Sequence, residues 1–151
     1  MSPDIVKPNQ VWAMDITYIP MAKGFVYLTC VMDIYSRKIS SSVISNTLDA
    51  SFCVAAYIEA VRLYGVPEII NTDQGSKFTS NAFVAAVAIS GARLSMDGKG
   101  AWTDNIFIER FWRSLKYEEV YLSAYDTVAD AKRWIYRYIE RYTTRSDHTH
   151  H

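Results

Sequence analysis

No apolar run in this 151-residue chain approaches the roughly 18 to 20 residues that span a bilayer, and no charged start followed by an apolar stretch marks it for secretion. Net charge is also missing, because 16 Lys plus Arg offset 16 Asp plus Glu. At first reading that neutrality argues against a protein whose partner is a polyanion. Cysteine is scarce: Cys30 and Cys53 lie inside apolar segments and form no C-x-x-C pair. They read as buried thiols in a reducing cytoplasm, not as a disulfide framework or a zinc site. Gly98-Lys99-Gly100 lacks the spacing of a phosphate-binding loop. What the chain has is apolar mass. Half of its residues are hydrophobic and 14% aromatic, which excludes a disordered chain and suits one domain with its own core.

Residues 1–10 carry two prolines and little apolar pattern and read as a lead-in or linker. Residues 11–19 and 25–34 are rich in β-branched and aromatic residues around a short turn, the pattern of a β-hairpin, and 38–45 supply a third strand. From Leu48 the period becomes helical, with Val54, Tyr57, Ile58, Val61 and Tyr64 on the expected inner face and Gly65 and Pro67 as stop signals. A short strand over 68–72 runs into Asp73-Gln74-Gly75. A helix over 81–90 follows, with Phe83, Val84 and Val87 on one face, then a short strand over 93–96. Residues 97–103 read as a mobile loop. Asp104 is placed to cap a long helix to about Tyr121, whose inner stripe is Phe107 or Ile108, Phe111 and Leu115. Thr127 and Asp130 resemble a capping box for a last helix buried through Ala131, Trp134, Ile135 and Tyr138. The order β-β-β-α-β-α-β-α-α predicts an α/β domain with a five-stranded mixed sheet.

Three carboxylates sit awkwardly in this scheme. Asp15 is mid-strand, a depleted position for Asp. Asp73 stands at the C-terminal end of the fourth strand, where open α/β sheets place ligands. Glu109 lies early in a long helix. If the first and fourth strands are neighbours, Asp15 and Asp73 project toward one point, and a helix crossing the sheet edge brings Glu109 there. Converging acids without basic partners repel, and hard oxygen donors of this kind suit Mg²⁺ or Mn²⁺. Two such ions can activate a water or hydroxyl and stabilise the leaving oxygen of a phosphodiester. Singly, each acid also has a plain reading: a bulge or edge Asp, an Asx-turn before Gly75, and a helix N-terminal acid.

The segments Trp12-Ala13-Met14-Asp15-Ile16-Thr17-Tyr18, Asp33-Ile34-Tyr35-Ser36-Arg37, Thr72-Asp73-Gln74-Gly75-Ser76-Lys77-Phe78 and Trp102-Thr103-Asp104-Asn105, with Glu109 to Glu118, resemble the catalytic core of insertion-sequence-three (IS3-type) transposases. These belong to the DDE transposase and retroviral integrase superfamily. The 35 residues between Asp73 and Glu109 match that family's spacing. The resemblance spans residues 11–142. It implies a ribonuclease-H-like fold with helices on both faces of the sheet, and Asp15, Asp73 and Glu109 as catalytic metal ligands for Mg²⁺, with two ions expected and Mn²⁺ able to substitute. It further implies cleavage of DNA and transfer of a 3′ hydroxyl into a target, by a homo-oligomer assembled on transposon-end and target DNA in a bacterial cytoplasm. A helix-turn-helix recognition region, upstream or on a separate chain, is expected, and no membrane.

Other residues bear on DNA with less specificity. Lys116 follows Glu109 by seven residues, about two helical turns, with Arg113 between them, so both are candidates for phosphate contact, and the family also shows a basic residue at the Lys116 offset. The alternative is a plain amphipathic helix with Glu109 and Arg113 as an i,i+4 pair. Lys77, Lys99 and Asn105 are further DNA-contact candidates, and the glycine of Gln74-Gly75 is expected to let the backbone turn tightly beside Asp73. Asp33 reads as a structural turn acid. Arg133, Arg137 and Arg141 form a solvated face or a phosphate track, opposite Trp134 and Tyr138. After Tyr142 the family pattern breaks, so 143–151 read as a frayed or non-native tail, with His148, His150 and His151 crowded into it. Two other classes remain: a different ribonuclease-H-like nuclease, such as a junction resolvase or hybrid nuclease, and a non-catalytic DNA-binding remnant.

Overall fold

In the computed structural model, backbone is described for residues 4–96 and 98–149 and side chains for 4–96 and 106–145. Alternation along the first strand sets the architecture. In β1 (Val11–Pro20), Val11, Ala13 and Ile19 join one apolar cluster, whereas Trp12 and Met14 join another on the opposite face. A strand buried on both faces needs cover on both. β2 (Phe25–Asp33) and β3 (Ile39–Ser45) extend the sheet on one side as an antiparallel meander, and β4 (Ile69–Asn71) and β5 (Arg93–Ser95) add parallel strands on the other. The order is β3-β2-β1-β4-β5, as the expected five-stranded mixed sheet requires. β1 and β4 are neighbours, the condition on which convergence of Asp15 and Asp73 depended.

One face of the sheet is covered by α1 (Ala50–Tyr64) and α2 (Asn81–Ser90), the other by α3 (Gly98–Glu118) and α4 (Val128–Thr149). The caps follow their residue types. Asp49 accepts from Ser51 N at the start of α1, Ser80 from Phe83 N at the start of α2, and Gly91 ends α2 in the left-handed region at φ 95°. Thr127 Oγ1 accepts from Asp130 N at 3.0 Å, as expected of the last helix's first turn. Beyond α3 a 3-10 turn (Val120–Leu122) intervenes, so α3 stops short of Tyr121. The far part of α4 is tied back to the end of α3 by Tyr138 Oη donating to Glu118 at 2.6 Å and by Arg145 lying 3.7 Å from the same carboxylate.

Several expectations are corrected. α1 buries Phe52, Cys53, Ala56, Tyr57 and Ala60, while Ile58 and Tyr64 are exposed. Its small residues let the helix approach the sheet closely, which turns the larger aliphatics outward. Val84 of α2 is likewise exposed. The backbone at 98–103 is helical, not a loop, because a single glycine costs about 1 kcal/mol in a helix and does not by itself end one that continues for many turns. On α4 the buried seam is Ala131, Ile135 and Ile139, spaced i, i+4, i+8. Trp134, a neighbour of that seam, is 39% exposed, with the Arg133 and Arg137 guanidiniums 5.1 and 5.7 Å from its ring. The arginines therefore flank Trp134 instead of opposing it.

Candidate active site

On its β1 side, β4 pairs with only the first residues of that strand, in the register Val11 with Ile69 through Ala13 with Asn71. Continued by two residues, that register would set Asp15 level with Asp73, which lies just beyond the end of β4. The chain leaves β4 through Thr72 and turns at Asp73, whose Oδ1 accepts from Gly75 N at 2.8 Å. This is the Asx-turn that sequence allowed as a plain reading, and it also fixes the carboxylate. A Cβ on Gly75 would lie 2.9 Å from that same Oδ1, so glycine is needed for the turn and the carboxylate to coexist. Asp15 and Asp73 line one open cavity of about 310 Å³ together with Tyr18, Tyr27, Lys77 and Phe78.

Asp15 is the most perturbed acid of the site. Burial pushes its carboxyl up to about 7, the Trp112 hydrogen bond opposes that rise, and a hydrogen bond and repulsion from Glu109 add to it. Trp112 Nε1 donates to Asp15 Oδ2 at 2.9 Å. Trp112 follows Glu109 by three residues on α3, so one helix face delivers both groups to β1. The strand edge, the end of β4 and α3 thus bring Asp15 into contact with each of the other two acids' surroundings: with Asp73 across the cavity and with Glu109 through a hydrogen bond. Among the described residues none of the three acids is in an ion pair, and no three His, Cys, Asp or Glu side chains stand close enough to form a ready three-ligand group. The donor chemistry nonetheless fits a hard divalent cation: carboxylate oxygens only, no ion-paired basic partner, and one acid whose proton affinity burial raises.

Lys77 lines the cavity without an ion pair to either acid. Lys116 is half-buried and Arg113 exposed, its guanidinium 5.8 Å from the Tyr117 ring, and the simple Glu109 to Arg113 pair is not formed. The side chains of Lys99 and Asn105, and of the expected cap Asp104, lie outside the described residues, as do His148, His150 and His151. Asp33 is the structural acid expected. It is buried, and its carboxylate accepts from Asn9 N, Ser36 N and Ser36 Oγ at 2.7 to 3.0 Å. Cys30 and Cys53 are buried free thiols, and burial pushes Cys53 up to about 12. Trp112 lies inside the Glu109 to Glu118 segment, where the motif alone gives it no role. Its offset of three from Glu109 was the available signal.

Residues 6–101 match the integrase core domain family. Among curated relatives, the transposase for insertion sequence element IS904 of Lactococcus lactis is 36% identical over 137 residues, covering 89% of this chain and 54% of the relative. Transposase InsF for insertion sequence IS3A of Escherichia coli is 32% identical over 135 residues, covering 88% and 47%. The chain spans about half the length of the curated relatives it matches. In three dimensions it resembles the HTLV-2 integrase catalytic core domain, a structure in complex with magnesium, at TM-score 0.62 and 25% identity over 73% of this chain and 68% of that one. It also resembles a chain of the simian T-cell lymphotropic virus intasome, a structure in complex with PP2A regulatory subunit B56 gamma, at TM-score 0.68 and 24% identity over 78% and 42%. The shared arrangement of sheet and helices is the ribonuclease-H-like fold expected from the motifs.

Proposed function

This chain belongs to the integrase core domain family, and from that premise we propose that it is the catalytic portion of an IS3-type insertion-sequence transposase, a DDE polynucleotidyl transferase that cleaves DNA strands and joins them to a target. The observation that carries this reading is the single cavity shared by Asp15 and Asp73, with Glu109 held against Asp15. Asp15, Asp73 and Glu109 are the residues that would hold divalent cations, Mg²⁺ or Mn²⁺. Such ions, when bound, activate an attacking oxygen and stabilise a leaving one at phosphorus.

The chain's own groups supply positioning. Trp112 fixes Asp15 through its Oδ2, and Gly75 N fixes Asp73 through its Oδ1. Lys77 offers a positive charge in the same cavity for a phosphate of the strand being cut, and Arg113, Lys116, Lys99 and Asn105 are the further DNA contacts of this reading. Water attack at phosphorus would release a 3′ hydroxyl, and that hydroxyl would then attack a target phosphodiester, displacing the target strand's own 3′ oxygen. Magnesium in the integrase core structure and the assembly named as an intasome support a metal-dependent, oligomeric mode of action. No helix among the described residues is long and apolar enough to cross a membrane. A helix-turn-helix partner region and a bacterial cytoplasmic site belong to the same proposal, as do the bounds 11–142 for the catalytic core, with 1–10 as lead-in and 143–151 as tail.

The test is incubation with Mn²⁺ and duplex oligonucleotides carrying the element's terminal sequence. Strands shortened to a 3′ hydroxyl end, and longer strands from joining, are expected. Products with a 3′ phosphate, or equal cutting of RNA–DNA hybrid, would point to a different nuclease.

A further inference from the structure

Beside the acids, β1 carries a group of rings that the catalytic reading does not use. Tyr18 pairs with Tyr27 across the β1–β2 ladder, and Phe25 sits at the hairpin's end opposite Pro20. The ring centroids of Tyr18 and Phe25 lie 5.3 Å apart, those of Tyr18 and Tyr27 5.3 Å, and those of Phe25 and Tyr27 5.4 Å, all inclined to one another. Aromatic groups of this size are normally buried. Here Tyr18 is 58% and Phe25 52% exposed, and Tyr18 and Tyr27 line the same cavity as Asp15, Asp73 and Lys77.

The topology explains why the cluster stays open. β4 is three residues long and on its β1 side reaches only the start of that strand, so the half of β1 from Asp15 to Pro20 has no strand on that side. The rings pack on one another and hold their faces steady without being covered. Tyr18 stands three residues along the strand from Asp15, an odd offset that turns its ring to the opposite face of β1 from the Asp15 side chain, so the two residues meet only at the open edge of the sheet, where both line the cavity with Asp73 and Lys77.

Resting on the reading of Asp15 and Asp73 as a DNA-cutting site, we infer that Tyr18, with Phe25 and Tyr27 supporting it, is a stacking platform for an unpaired nucleobase of the DNA strand whose phosphate enters the acid cavity. Three features choose that occupant. The rings offer π faces and hydroxyls at the mouth of an open cavity. The cavity continues from them to a lysine and two carboxylates, the surroundings of a phosphodiester and not of a hydrophobic peptide. A paired base inside a duplex has both faces covered by its neighbours, so the base that stacks here is an unpaired one.

The experiment uses this chain in Ca²⁺ and DNA duplexes with 2-aminopurine placed either in a short single-stranded overhang or in the paired interior, with a gel confirming that the DNA stays uncut. Fluorescence of the overhang probe is expected to fall severalfold on binding while the interior probe is unchanged. Tyr18→Ala should abolish that quenching and weaken overhang binding about tenfold, Tyr18→Trp should retain it, and Phe25→Ala should reduce it, all with thermal midpoints near that of the parent. Equal quenching of both probes, or full quenching in both alanine variants, overturns the inference. So does loss of self-association in Tyr18→Ala with quenching intact, which would assign the rings to contact between copies. Mn²⁺-dependent cleavage of the same duplexes separates the two readings. Cleavage without quenching overturns the platform and leaves the active site standing, whereas quenching without cleavage supports the platform and counts against the site.

Discussion

Trp112 Nε1 donates to Asp15 Oδ2 at 2.9 Å, joining the middle of α3 to the middle of β1 at the point where a carboxylate is buried. That bond favours the charged form of Asp15 against the burial and the Glu109 contact that oppose it.

Trp112→Phe keeps an aromatic ring in the core and deletes the donor. A hydrogen bond to a charged group contributes roughly 1.5–3 kcal/mol, so cleavage near neutral pH should fall about tenfold or more. The pH at which activity rises should move upward, because Asp15 loses the bond that lowers its proton affinity. A pH profile of cleavage checks this, and an unchanged profile would show that the bond has no part in tuning Asp15.

The raised Asp15 carboxyl also links stability to pH. Between the ordinary carboxylate value of 3.8 and about 7 the folded chain binds a proton that the unfolded chain has released. Metal-free stability contributed by this group is therefore complete below about 4 and is lost as pH rises through 7, on the order of a few kcal/mol. Denaturant titrations should show this decline in the parent and not in Asp15→Asn. Adding Mn²⁺ should offset it at the upper end of the window, because the cation favours the ionised acid.

Gly75→Ala should separate chemistry from stability. The added Cβ would meet Asp73 Oδ1 at 2.9 Å, and the flexible carboxylate is the group that gives way. Cleavage should drop at least tenfold while the thermal midpoint changes little. A large loss of stability with activity retained per folded molecule would instead assign Gly75 to packing.

On α4, Ile135 is fully buried and its neighbour Trp134 is not. Ile135→Ala should cost about 2–5 kcal/mol and Trp134→Ala under about 1. Urea titrations of the two variants decide which residue belongs to the core.

Much of this was legible in the sequence because the signals were local and strong. The β-branched and aromatic residues of 11–19, the helix stop at Gly65, and an Asp at the end of β4 each pointed to the element or turn that is present. The adjacency of β1 and β4 is set by long-range pairing that no local segment specifies, and the sheet order establishes it. Trp134 was misassigned because a helical period gives a stripe about 100° wide and cannot say which flank cations will cover. The inner face of α1 was missed for the opposite reason: Cys53, Ala56 and Ala60 are weak hydrophobic signals, yet small size lets them sit nearest the sheet. The bond from Trp112 and the rings around Tyr18 depend on β4 being short and on α3 crossing β1, which no single segment reveals.

The central claim is that Asp15 and Asp73 form one metal-dependent cutting site, and the most direct measurement is the rate of Mn²⁺-dependent strand cleavage by Asp73→Asn beside the parent, each shown by thermal unfolding to be folded. The rate should fall at least a hundredfold with an unchanged midpoint, since Asn keeps the turn to Gly75 but removes the charge. Equal rates for the two proteins would contradict the assignment.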